Sequence, residues 1–349
     1  MRVLVTDDSA FMRRAVTTML TADNDIEVVG TAKNGKQAVE LAKKLKPDVI
    51  TLDIEMPEMD GLTALRHIMR TAPTQVLMLS SLTTEGSTAS LQALKLGAAD
   101  VLAKDQADFS MNMSKLQTKL IRIVKALAES NPHRKTATPK TTGAKTTLPA
   151  FRSNQFDLIC IGSSTGGPPI LETILASLPA GMRTPIVISQ HMPEVFTKSM
   201  AERLNKMCTL NVMHVDDQTD IKDGHIYLAR GGMHIQVHKL RTGKLEARMG
   251  AEPTDAVYRP SVDALFSSAN KATGARTLAI VLTGIGSDGL KGAKEIHASG
   301  GKILAQNQES SVVYGMPKAV TEAGITTASL SPDDLNKALS SLATNAAAA

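Results

Sequence analysis

Five short apolar runs, RVLVT, EVVGTA, DVITL, QVLMLSS and DVLAK, recur through residues 1–128. Between them lie stretches such as NGKQAVELAKKLK and GLTALRHIMR, whose apolar residues fall three and four apart. The runs have the length of strands and the stretches the period of amphipathic helices. Alternation of this kind predicts a parallel sheet covered by helices on both faces. A second alternation begins at residue 156, where FDLICIG, TPIVISQ, TLAIVLTG and GKILAQN read as parallel core strands. Helical patterns follow them, among them PPILETILASL and GLKGAKEIHAS. Within this half, HIYLARGGMHIQVHKLRTGKLEARM alternates with a period of two around glycine-containing turns, which predicts an inserted antiparallel hairpin. The pattern therefore predicts two α/β domains, the second a doubly wound sheet carrying the insertion.

Composition supports that division. At 349 residues the chain is long for one domain, and 42% apolar residues are enough for two cores. Residues 130–154 carry five Lys or Arg and no acid, are rich in Thr and Pro, and hold few large apolar side chains. They read as a basic linker, which sets expected boundaries of 1–128, 129–153 and 154–345. The linker also accounts for the formal charge of +5. With little aromatic interleaving and no helix-turn-helix pattern after it, nucleic acid is not an expected partner. There is no run of about 18 apolar residues, so no membrane insertion is expected. Two cysteines make no disulfide framework, and the start MRVLVTDDSAFMRR has no signal-peptide core, so the expected location is the cytoplasm. The closing TNAAAA reads as a frayed tail.

In a parallel sheet the ligand site lies beyond the carboxyl ends of the strands. In the first half those ends carry Asp7 and Asp8, Asp53, Ser80 and Ser81, and Lys104. Each acid alone could be a helix cap. Together, three converging carboxylates repel one another unless they hold a hard divalent cation such as Mg²⁺, and a lysine and a hydroxyl beside them suit a phosphoryl group. With the stretch DIEMPEMDG, these residues resemble the receiver domain of bacterial response regulators over residues 1–125. The resemblance implies a flavodoxin-like fold, phosphorylation of Asp53, and Mg²⁺ held by Asp8 and Asp53 with support from Asp7. It also implies Ser80 as the switch hydroxyl and Lys104 on the phosphoryl oxygens. Asp105 stands where the family has proline.

In the second half, IGSSTGGPP follows the first predicted strand. Its outer glycines have P-loop spacing, but Pro168 and Pro169 replace the Lys and Ser/Thr that would reach phosphate and Mg²⁺. Gly162-Ser163-Ser164-Thr165-Gly166 fits G-x-S-x-G instead, a turn that lifts its central hydroxyl above the sheet, and this register selects Ser164. A serine needs a base, and a base needs an acid to fix its tautomer. His191 in VISQHMP and Asp288 in VLTGIGSDG stand at other strand ends and supply both. Taken singly, His191 could be a structural histidine and Asp288 a helix cap. His234 and His238 would share one face of a strand but have no adjoining Cys or acid, so a solvated face is expected there rather than a metal. Cys160 reads as a packed core thiol.

IGSSTGGP, QHMP, YRPSVDALF, LTGIGSDG and VVYGMPKA, in this order over residues 156–325, closely resemble the protein-glutamate methylesterases of bacterial chemotaxis, the CheB family. The resemblance implies hydrolysis of glutamate γ-methyl esters on the cytoplasmic domains of chemoreceptors, and often deamidation of receptor glutamines. It assigns Ser164 as nucleophile, His191 as general base and acid, and Asp288 as orienting acid, with oxyanion donors at Thr165 and around Ile285. It implies no cofactor for the hydrolase and a chemotaxis histidine kinase as phosphodonor. Two other readings remain at this level: a response regulator whose second domain only binds receptor or kinase, and a hydrolase of another acyl ester.

Overall fold

All five apolar runs of the first half are strands in the computed structural model, which describes residues 1–104, 113–130, 148–149 and 151–343. The chain forms two units, Met1–Lys140 and Thr141–Ala349. Most of the expected linker, the tail after residue 343, and Asp105 lie outside the described residues.

The first unit runs β1 (Arg2–Thr6), α1 (Ala10–Thr21), β2 (Glu27–Ala32), α2 (Gly35–Leu45), β3 (Val49–Asp53) and α3 (Gly61–Thr71). It continues through β4 (Gln75–Ser81), α4 (Thr84–Lys95), β5 (Asp100–Lys104) and α5 (Met113–Ser130). The strands form one parallel sheet in the order β2-β1-β3-β4-β5. Every residue of β3 is buried, as expected for a strand covered on both faces. The turns into the helices are set by side-chain caps: Ser9, Asn34, Asp60 and Thr83 each accept a backbone N–H from the first turn that follows. Strand order reverses beside β1, so the crevice that can hold a ligand opens above β1 and β3.

The second unit begins with β6 (Leu158–Ser163), α6 (Gly167–Ala176), β7 (Ile186–Gln190), α7 (Glu194–Met207) and β8 (Asn211–Val215). Next come β9 (Gln218–Ile221), β10 (His225–Ala229), β11 (His234–Lys239), β12 (Leu245–Gly250), α8 (Val262–Thr273) and β13 (Thr277–Val281). It closes with α9 (Leu290–Ala298), β14 (Lys302–Gln306), α10 (Met316–Glu322), β15 (Ala328–Leu330) and α11 (Pro332–Ser340). Seven strands make a parallel sheet in the order β15-β14-β13-β6-β7-β10-β8, and β11, β12 and β9 make a small antiparallel sheet. The four expected core strands are β6, β7, β13 and β14. The expected hairpin is β11–β12, but its first segment, HIYLA, is β10 and belongs to the parallel sheet. Its alternation is local, while its last four residues are all buried between layers.

The small sheet packs on α8. Ile235, Val237 and Ala247 share one buried cluster with Leu265, Phe266 and Ala269 of that helix. Because the chain moves from β6 to β7 on one side and later to β13 on the other, the switch point lies at β6. Among the described residues, no helix is long and apolar enough to cross a membrane.

Candidate active site

In the first unit, Asp7 follows β1 and Asp53 ends the neighbouring β3, so the sheet itself sets these acids side by side. Asp7, Asp8 and Asp53 each offer an oxygen within 4.8 Å of the others. Lys104, at the end of β5, places Nζ 2.7 Å from Asp53 Oδ1 and 2.8 Å from Asp7 Oδ2. Burial is the strongest influence on Asp53 and pushes its carboxyl up to about 6; the Asp7 charge adds to the push and Lys104 opposes it. An all-carboxylate set of this size suits a hard cation such as Mg²⁺. Ser80 is buried, and its hydroxyl donates to the Gly86 carbonyl at 3.1 Å rather than to Asp53.

In the second unit, β6 and β7 run in register with Ser163 opposite Gln190. The next residues on each strand, Ser164 and His191, are therefore neighbours at the sheet's carboxyl edge. The turn after β6 is held from several sides. Ser164 N–H donates to the Thr283 carbonyl at 3.1 Å, and Gln190 Nε2 donates to the Ser164 carbonyl at 3.0 Å. Thr283 Oγ1 donates to the Thr165 carbonyl at 2.9 Å. Gly166 has φ +78°, a left-handed value that glycine adopts freely, and α6 starts at once behind it. Gly284 must also be glycine, because a Cβ there would lie 2.7 Å from Ser164 Cβ. The two serines part company here. Ser163 is fully buried, and a Cβ on Gly167 would meet its Oγ at 1.9 Å, so its hydroxyl lies under the start of α6.

His191 Nε2 lies 2.8 Å from Asp288 Oδ2, with both side chains nearly buried. Its other nitrogen, Nδ1, is buried and makes no hydrogen bond. Asp288 follows β13, and its carboxylate sits on the amino end of α8. It accepts from Val262 N–H at 2.7 Å, Asp263 N–H at 2.9 Å and Ser261 Oγ at 3.1 Å. Burial alone would raise the Asp288 carboxyl; the His191 contact and these backbone donors outweigh it and hold the group below the usual carboxylate range. With Asp288 ionised on Nε2, the proton of a neutral His191 is held there and Nδ1 is left as the acceptor. The Tyr258 ring stacks on His191 with centroids 4.1 Å apart and planes within 8°.

The structure thus brings the expected Ser164, His191 and Asp288 to one edge, with Thr165 and Ile285 on the adjoining turns. Ser164 and His191 are not hydrogen-bonded to each other. The site lies at the carboxyl edge of the parallel sheet. A cavity of about 720 Å³ opens at the opposite, amino ends of the strands, with Arg183, Lys222 and Lys244 in its wall, and none of the three residues lines it. The sequence reading did not single out Gln190, Ser261, Tyr258 or Thr283. All four fall inside or beside the quoted motifs, the signal that could have found them. It also expected His234 on a solvated face, whereas His234 is fully buried.

The family model of CheB methylesterases matches residues 159–339, and that of response regulator receiver domains matches residues 3–114. A protein-glutamate methylesterase/protein-glutamine glutaminase from Oleidesulfovibrio alaskensis is 42% identical, over 97% of this chain and 98% of its own length. One from Pseudomonas putida, of the group 1 operon, is also 42% identical, over 97% and 98%. Among solved structures, the Thermotoga maritima CheB methylesterase catalytic domain is 37% identical with a TM-score of 0.52, covering 54% of this chain and 98% of its own.

Proposed function

The chain belongs to the CheB family, in which a receiver is joined to a protein-glutamate methylesterase/glutaminase, and from that membership we propose a chemoreceptor demethylase that uses Ser164, His191 and Asp288. The observation that carries the catalytic assignment is the register of β6 on β7, which makes Ser164 and His191 neighbours, with Asp288 locked on the far side of the imidazole. The histidine is turned the opposite way from the serine-protease template, where the acid binds Nδ1. Here Nδ1 is the base. It takes the Ser164 proton as Oγ attacks the γ-carbonyl of a methylated glutamyl side chain. Backbone N–H groups at Thr165 and Ile285 face the oxyanion, and donors of this kind are worth about 3 kcal/mol each in other hydrolases. Collapse of the intermediate expels methanol, which takes its proton from His191. Water, deprotonated at the same nitrogen, then releases the carboxylate and restores Ser164. A glutamine substrate follows the same path with ammonia as the leaving group.

An edge-on site fits a glutamyl side chain presented on the surface of a receptor helix in the cytoplasm. Control enters through the receiver, where Asp53 accepts a phosphoryl group from a chemotaxis histidine kinase. Asp8 and Asp53, with Asp7, would hold Mg²⁺, which neutralises phosphoryl oxygens when bound. Lys104 adds a cation on the same oxygens, and Ser80 is the hydroxyl that must leave Gly86 to reach them. The test is methanol release from methylated receptor membranes, with and without acetyl phosphate. Release that rises with the phosphodonor supports the reading. A chain that binds the membranes but releases no methanol is a non-catalytic regulator, and one that cleaves only small acyl esters is a different hydrolase.

A further inference from the structure

Asp288 is only as well placed as the turn that holds it. That turn, Ser261-Val262-Asp263, supplies three of its four hydrogen bonds. Ser261 is the pivot: its Oγ donates to Asp288 and accepts from Ala264 N–H at 3.3 Å, capping α8. Its own N–H is buried and donates to Nδ1 of His234 at 3.0 Å. His234 opens β11 in the small antiparallel sheet and is fully buried. A nitrogen that accepts carries no proton, so the ring is the neutral tautomer with hydrogen on Nε2. Burial, and then the Arg259 charge, hold the ring's basicity below the usual histidine value, which keeps that acceptor available. Nε2 makes no hydrogen bond of ordinary geometry, although the Pro253 carbonyl acts on it weakly.

We propose that His234 is a positioning residue for hydrolysis: as a neutral acceptor it fixes the Ser261 peptide and, through it, the donors that aim Asp288 at His191. This rests on the catalytic assignment above. It also gives the inserted sheet a role in the reaction, because β11 delivers the acceptor from an element that carries none of Ser164, His191 and Asp288. A buried histidine with a merely structural role would matter for its bulk. Here one atom matters, and the two roles separate by experiment.

The full-length protein is compared with His234→Leu, His234→Asn and Asp288→Asn. Leucine keeps the bulk without an acceptor, whereas the asparagine carbonyl takes the place of Nδ1. His234→Leu is expected to lower kcat by about 10²-fold with KM little changed, as slight misplacement of a reacting group does. His234→Asn should recover most of that loss. The downfield proton resonance of the His191–Asp288 hydrogen bond should shift or broaden in His234→Leu and return in His234→Asn. If the leucine variant does not fold, His234→Gln takes its place, since its carbonyl lies one methylene beyond the required point and should behave as leucine would. A folded leucine or glutamine variant with the asparagine variant's kcat and an unmoved resonance overturns the proposal. Undiminished kcat in Asp288→Asn instead sinks the catalytic assignment itself.

Discussion

Asp53 and Asp288 are both buried carboxylates at the carboxyl ends of parallel strands, one in each unit, and their surroundings drive them in opposite directions. Asp53 has a second acid, Asp7, beside it and one lysine to offset the two; burial prevails and its carboxyl rises to about 6. Asp288 suffers burial as well but receives two backbone N–H groups, a hydroxyl and an imidazole, and it is held down. A carboxylate at a helix amino end is fixed and permanently charged. One in a crowded acidic cleft is high in energy until a cation and a phosphoryl group arrive. The first environment suits a group that must orient a histidine and never react. The second suits a group that must itself be the nucleophile. The same side chain, beyond the carboxyl ends of two parallel strands, is thus pushed in opposite directions by the groups around it.

The contrast can be broken by exchanging assays. Asp53→Asn should abolish phosphoryl incorporation from acetyl phosphate, and EDTA should do the same to the unaltered protein; incorporation that survives either treatment removes Asp53 or the cation from the site. Both changes should leave basal methanol release in place. Ser164→Ala should lower that release by about 10⁴-fold or more, while Ser163→Ala keeps most of it, because only Ser164 lies in register with His191. Equal losses in the two variants would contradict that register. Asp288→Asn should lower kcat by about 10³–10⁴-fold, as loss of the orienting acid does elsewhere, and should leave phosphorylation untouched.

The smallest effect concerns Asp263, next to the Asp288 pair. Burial first, and the Asp288 charge after it, push its carboxyl up from 3.8 to about 6. The unfolded chain is ionised above about 4, whereas the folded chain keeps this proton to about 6, so the group removes stability as pH rises through that window. Asp263→Asn retains an acceptor for Gly292 N–H and loses the charge. It should be more stable than the unaltered protein at pH 7 by on the order of 1 kcal/mol, with the advantage vanishing near pH 4. Urea midpoints across that range measure it, and an advantage that grows on acidification would reverse the assigned sign.

Much of this was legible from local pattern. The nine principal strands of the expectation, five in the first half and four in the second, carry short apolar runs and fell where expected, whereas HIYLA, expected within the hairpin, joined the parallel sheet. The strands left unnamed, β8, β9 and β15, are short or half-exposed, and their residues do not alternate strongly enough to stand apart from loop. HIYLA has the same local signature whether it pairs with β11 or with β7, and only the packing of Tyr227 and its neighbours between layers decides it. His234 failed for a related reason. The two histidines share a strand face, and nothing within the strand says that the Ser261 turn, 27 residues on, meets His234.

The chemistry divides along the same line. Strand-end positions are dictated by short-range spacing, so Asp7, Asp53, Lys104, Ser164, His191 and Asp288 could be placed at the carboxyl edges of their sheets directly, and the preference for Ser164 over Ser163 rested on the turn alone. Which nitrogen of His191 meets the acid, and what holds that acid, could not be read. Those depend on α8, whose first residue stands 26 positions before Asp288, presenting its amino end to that acid, and on β11 reaching Ser261 from outside the parallel sheet. A sequence states which groups stand at the edge of a sheet because each strand ends where its own residues say. The hydrogen bonds that set a proton's position join segments with no local relation to one another, and only the closed tertiary structure brings their donors and acceptors within 3 Å.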